Sequence, residues 1–104
     1  MPMKTIAGKT VEVDNEGFLV HHTDWTEEMA VELAREEGIE LTEAHWKVIN
    51  FVRKDFAETG QVPTIRRMKN VGGIPTNELY ELFPQGPAKK AAKISGFGKP
   101  QGCV

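Results

Sequence analysis

The chain has one cysteine, Cys103, and that scarcity excludes an internal disulfide. A protein built without disulfides is expected in a reducing compartment, here the cytoplasm. Three histidines and a single thiol are too few, and too scattered, for a structural zinc site. No apolar run approaches the ~18 residues of a membrane helix, so no membrane insertion is expected. The opening Met1-Pro2-Met3-Lys4 lacks the apolar stretch of a secretory signal. Phosphate loops, nucleophile elbows and paired-carboxylate motifs are missing, as are internal repeats. What is present is ordinary for a globule. Of 104 residues, 39% are hydrophobic and 27% charged, which is too apolar for a disordered chain and enough for one domain, residues 1–104, with a modest core.

Negative charge is also missing, but only from one end. Residues 1–60 hold 6 basic and 13 acidic side chains, whereas residues 61–104 hold 7 basic and 2 acidic ones. The last acid is Glu81; Lys89, Lys90, Lys93 and Lys99 follow it. Such asymmetry fits two faces of one soluble domain, and it equally fits a basic half that meets an anionic group.

The patterning predicts a mainly α protein. Residues 4–20 read as a small hairpin or meander, with turns at Ala7-Gly8-Lys9 and Asp14-Asn15-Glu16-Gly17 and a third short segment at Phe18-Leu19-Val20. A first helix is expected from Asp24, capped by a box with Glu27, burying Met29, Ala30, Leu33 and Ala34 and stopping at Gly38. A second opens at Thr42, carries the stripe His45, Ile49, Val52 and Phe56, ends at Gly60, and reads as the central helix. Short helices are expected from Thr64 to about Asn70 and from Pro75-Thr76 through Phe83. Pro87 is placed as the first residue of a last helix running to about Ser95. The glycine-rich remainder, 96–104, reads as a mobile arm.

Cys103 is the informative residue. Cysteine is usually buried, but the glycine-rich tail makes burial hard to arrange, and an exposed thiol is an oxidation hazard unless it is used. A thiolate on a thin arm can reach into a partner's cleft: nine extended residues span about 30 Å. His21 and His22 could bind metal or protons but read more simply as a polar loop, and His45 reads as a hydrogen-bonded core residue. Arg66, Arg67 and Lys69 precede a Val71-Gly72-Gly73 turn, which suggests a DNA-binding helix-turn-helix. Its second helix, however, carries Glu78 and Glu81 and no base, and a corner that packs the core is the favoured reading.

Three segments together resemble the DsrC/TusE family of small sulfur-relay proteins: Leu41 to Arg53, Glu81-Leu82-Phe83-Pro84-Gln85-Gly86-Pro87-Ala88-Lys89, and Lys99-Pro100-Gln101-Gly102-Cys103-Val104. The turn from Asp14 to Phe18 and Asp24-Trp25 agree. The resemblance implies a small helical bundle with an N-terminal β-hairpin and a flexible C-terminal arm, no cofactor, and sulfur carried on Cys103. By the resemblance, Arg66, Lys89, Lys93 and Lys99 match basic positions of the family and are expected either to orient an anionic sulfur group or dock a partner, or to be ordinary solvated surface residues. Such a protein is a co-substrate within a relay rather than a stand-alone enzyme.

Two branches of the family imply different partners. In DsrC the arm enters dissimilatory sulfite reductase, and a second arm cysteine forms a disulfide or trisulfide that a membrane complex reduces. TusE members relay persulfide sulfur from a TusBCD-type complex toward a tRNA thiolase. Here the second cysteine's position is Ala92, as in a one-thiol relay protein. The stretch from Asn70 to Glu78 nevertheless lacks the insertion associated with TusE, and Gly98 stands where the family has proline. The sequence alone leaves two rivals to sulfur relay: a non-redox docking or regulatory subunit of a sulfite reductase complex and, weakest at a net charge of −2, DNA binding.

Overall fold

The computed structural model describes residues 2–100, so Cys103 lies outside the described residues. Strands β1 (Met3–Ile6) and β2 (Lys9–Glu12) pair antiparallel, Met3 opposite Glu12 and Ile6 opposite Lys9. Their loop has only two residues, Ala7 and Gly8, both at positive φ (51° and 82°), as the tight hairpin turn matching strand twist requires. Alanine is strained there, and the Ala7 amide is held by the Glu32 carboxylate at 2.7 Å. The expected third segment is reduced to one bridge, Val13 to Leu19. The reason is the intervening turn, where Asp14 Oδ1 accepts the Glu16 and Phe18 amides, both at 2.9 Å, and closes the chain too tightly for a longer ladder.

Helix α1 (Glu27–Glu36) starts later than expected. Thr26, not Asp24, is the N-cap, and its hydroxyl accepts the Met29 amide at 3.2 Å. Asp24 instead ends a one-turn 3-10 segment, His22–Asp24, and Trp25 follows with extended backbone, which separates the two turns. The buried face of α1 is the one anticipated: Met29, Ala30, Leu33 and Ala34.

Helix α2 (Glu43–Thr59) begins and ends where the sequence places it, between Thr42 and a left-handed Gly60. Its cap is a box in which histidine does the work usual for glutamate. His45 Nδ1 accepts the Thr42 amide at 3.1 Å, so Nε2 carries the proton and donates to the Leu82 carbonyl at 2.8 Å. His45 is therefore the satisfied core residue anticipated, and it ties the start of α2 to Leu82.

Helices α3 (Ile65–Asn70) and α4 (Thr76–Leu82) form a corner that buries Met68, Ile74, Leu79 and Phe83. Arg67, one of the basic residues before the turn, is committed to the body: its guanidinium makes a two-pronged ion pair with Asp55 of α2, at 2.7 and 2.8 Å. Helix α5 (Pro87–Ile94) has Pro87 at its first position, as expected. It packs against α1, α2 and α4 with Ala88, Ala91 and Ala92 fully buried, so this small-residue helix, more than α2, holds the middle of the bundle.

Hydrogen bonds from Arg67 hold the Asp55 carboxyl below its usual range. A depressed folded-state value means that the stabilisation is present above the unfolded carboxylate value, about 4, and is lost as pH falls through the lower folded value. Asp55→Asn is thus expected to lower the melting temperature by several degrees at neutral pH, with the gap to the unchanged protein narrowing as pH falls below about 4. Thermal melts across that range check it.

Candidate site at the C-terminal end of the last helix

Helix α5 ends in a Schellman motif. Gly96 takes φ +87°, its amide donates to the Lys93 carbonyl at 3.1 Å, and the Phe97 amide donates back to Ala92 at 2.9 Å. The Ser95 amide donates to Ala91 at 3.0 Å. The next two carbonyls, which a helix end leaves without backbone partners, are taken by side chains from elsewhere. The Trp25 indole N–H donates to Ile94 at 2.8 Å, and Arg53 of α2 donates to Ser95 at 2.6 Å.

Phe97 continues the packed body. It is 3% exposed, stacked on Phe56 with ring centres 4.3 Å apart, and flanked by the His22 ring at 5.4 Å. The Arg53 guanidinium lies between two rings, 4.1 Å from the centre of Trp25 and 5.1 Å from that of Phe97. Burial there lowers the Arg53 pKa from its ordinary value. The segment expected to be free from residue 96 is thus held through Phe97, and Gly98 is the first exposed residue beyond it.

The basic residues singled out in the sequence divide. Lys89 and Lys99 both reach Glu16, at 3.5 Å each, and Lys93 pairs with Glu37 at 3.6 Å while lying 5.7 Å from the centre of the Phe18 ring. Lys89, Lys90, Lys93, Gln85 and the two glutamates line one pocket of about 320 Å³. Arg66 stands apart, exposed on α3. The pairs at Glu16 are exposed and the Lys93–Glu37 pair is half-buried, so the cluster is a basic surface rather than an enclosed site. Lys99 and Pro100 also line a groove of about 380 Å³ with Phe56 and residues 60–64. Ala92 is fully buried in α5.

His21 bonds to Glu12 at 3.2 Å on the surface, and among the described residues no group of histidine and acidic side chains has a metal-binding arrangement. No described helix is long and apolar enough to cross a membrane.

Sequence reasoning missed Arg53, Trp25 and Phe97 as a unit. Signals existed. Arg53 lies four residues after Ile49 and three before Phe56, a charge flanking the apolar stripe of α2. Phe97 is a lone aromatic directly after a helix-stopping glycine, where a Schellman motif seats its hydrophobic contact.

Comparison with known proteins places this geometry. The family profile described as "DsrC like protein" matches residues 5–104. The "Sulfurtransferase TusE" of Yersinia pestis is 41% identical over 109 aligned positions, covering 98% of this chain and 100% of that protein. The crystal structure of the oxidized gamma-subunit of dissimilatory sulfite reductase (DsrC) from Archaeoglobus fulgidus is 40% identical, with a TM-score of 0.81, over 99% of this chain and 100% of that one. A chain in the crystal structure of dissimilatory sulfite reductase I is 39% identical, with a TM-score of 0.85, over 99% and 100% of the two chains.

Proposed function

The chain belongs to the DsrC-like family, and from that premise we propose that it is a sulfur carrier whose working atom is the Cys103 sulfur. One observation carries the reading: the family match runs through residue 104 and so includes the only thiol in the protein.

The chemistry that one thiol permits is narrow. The Cys103 thiolate attacks the outer sulfur of a donor persulfide; a new S–S bond forms, the donor's S–S bond breaks, and the donor leaves as a thiolate. An acceptor thiolate then removes the outer sulfur from Cys103 in the same way. Both steps are redox-neutral and need no cofactor. An intramolecular disulfide or trisulfide has no second sulfur to use, because position 92 is alanine. This favours a persulfide relay of the kind that serves tRNA thiolation, with sulfur-transfer proteins in the cytoplasm as donor and acceptor. Delivery to a sulfite-reductase-type partner is the second reading, favoured by the likeness to the sulfite reductase structures. The basic cluster around Lys89, Lys93 and Lys99 suits a partner surface that is acidic at the point of docking.

Incubation with a persulfide-loaded sulfurtransferase, followed by peptide mass spectrometry, is expected to add about 32 Da, one sulfur atom, to the peptide containing Cys103, reversibly on reduction. Absence of the adduct with persulfide-loaded donors would overturn the proposal.

A further inference from the structure

Seven glutamates and one arginine occupy the stretch from Glu27 to Glu43. Three of these carboxylates are used inside the fold: Glu32 accepts the Ala7 amide at 2.7 Å, Glu36 meets Lys4 at 2.6 Å, and Glu37 pairs with Lys93 at 3.6 Å. Glu27, Glu28, Glu40 and Glu43 are exposed, and none of them has a cationic partner among the described residues. They surround an apolar groove. Helix α1 stops in a Schellman motif, in which the Gly38 amide donates to Arg35 at 3.0 Å and the Ile39 amide to Ala34 at 2.8 Å, with Gly38 at φ +75°. The chain then runs through Ile39, Glu40 and Leu41 to the cap of α2. Helices α1 and α2 both pack on α5 and not closely on each other, and between them lies a groove of about 500 Å³ lined by Val31, Arg35, residues 38–41 and Trp46. Val31 is 39% exposed, while Ile39, Leu41 and Trp46 are half-buried against the core. Glu27 and Glu28 precede Val31 by four and three residues and so share its face, and Glu43 precedes Trp46 by three.

We propose that this groove is a docking surface for a basic amphipathic segment of a partner protein. One bulky apolar side chain of that segment seats on Val31, Leu41 and Trp46, and its lysines or arginines face Glu27, Glu28, Glu40 and Glu43. Charge complementarity selects this occupant. Arg35 inside the groove and Lys47 beside Trp46 are the cations nearby, so the rim stays negative and repels nucleic acid and anionic lipid. A second copy of the chain is a poorer match, because its clustered lysines, Lys89, Lys93 and Lys99, are already paired with Glu16 and Glu37. The apolar floor supplies the contact that a charged rim alone lacks: burying the outer face of Val31 and the open side of Trp46 favours association, and the carboxylates fix orientation and speed the encounter. Trp46 also offers an indole face to an arginine of the partner. The groove shares no lining residue with the basic pocket at Lys89, Lys90 and Lys93, and its use does not depend on sulfur chemistry at Cys103.

The test titrates the full, isotope-labelled chain with a helical peptide of leucine and lysine about 15 residues long, arranged with one apolar and one basic face. Amide signals of Val31, Arg35, Ile39 and Leu41 and the Trp46 indole signal are expected to shift, and the affinity to fall with added salt. Two comparison peptides separate apolar contact from charge, one with serine in place of leucine and one with glutamate in place of lysine. Each is expected to bind at least about tenfold more weakly. Val31→Ser is expected to weaken binding of the leucine–lysine peptide about fivefold, and Glu40→Lys combined with Glu43→Gln by a similar factor. All three positions are exposed, so the melting temperatures are expected to stay close to that of the unchanged protein. Shifts centred elsewhere on the surface, equal binding of either comparison peptide, or unaltered affinity in the variants would overturn the proposal. So would concentration-dependent shifts at the same residues without peptide, which would make a second copy the occupant.

Discussion

Cys103→Ser is expected to abolish sulfur loading completely. A serine hydroxyl differs from the thiol by one atom, but it is not ionised near neutral pH and does not form the S–S bond that the transfer consists of. No other side chain can substitute, because the protein has no second thiol. The measurement is the sulfur adduct by mass spectrometry, with melting temperature as the control for folding. A Cys103→Ser protein that kept full function in its pathway would transfer the reading to the docking-subunit alternative, in which the arm is needed only for contact. The two outcomes are far apart, since loading is either lost or irrelevant, and no quantitative threshold is needed to separate them.

Gly96→Ala is expected to carry the largest stability cost of any single-carbon addition at a glycine near the arm. Two effects combine. The residue sits at φ +87°, where an L side chain costs about 1–2 kcal/mol. The new carbon would also lie 2.5 to 2.6 Å from three atoms of Trp25, which must move. Moving Trp25 breaks its bond to the Ile94 carbonyl and loosens the ring on which Arg53 lies. Overpacking of that kind adds about 1–3 kcal/mol. Together they give roughly 2–5 kcal/mol, or about 10–25 °C in melting temperature for a domain of this size. Gly98→Ala is the matched control: with open space around it and no left-handed backbone, it is expected to change stability by less than about 0.5 kcal/mol. Equal melting temperatures for the two variants would show that Trp25 does not cover Gly96.

Much of this architecture is legible in the sequence because the signals are local. Thr42 opens α2 and Gly60 closes it through their own backbone geometry. Pro87 starts α5 because a proline at a first helical position gives up no hydrogen bond. His45 reads as a core residue because it falls on the apolar stripe near a helix start, and the bond to Leu82 shows why a polar ring is tolerated there. The displaced start of α1 is equally instructive. Asp24 and Glu27 have the spacing of a capping box, but Trp25 must leave the helical path to reach the Ile94 carbonyl, and Thr26 inherits the cap. A contact 69 residues away overrides a local preference worth about 1 kcal/mol.

The candidate site divides along the same line. Lys89 and Lys93 are recognisable as a basic helix face from their spacing alone. That Lys99 joins Lys89 at Glu16, and that Arg66 does not, depends on how the turn from Asp14 to Gly17 folds beneath α5. By itself the sequence determined the helical class, the lone thiol, the charge asymmetry and the family resemblance, because each rests on residue identity or short-range periodicity. Only the tertiary structure decided that the packed body continues past α5 through Phe97. Arg53 and Trp25 converge on the carbonyls at that helix end and Phe56 stacks on Phe97, and pairings between residues so far apart leave no period in the chain to read.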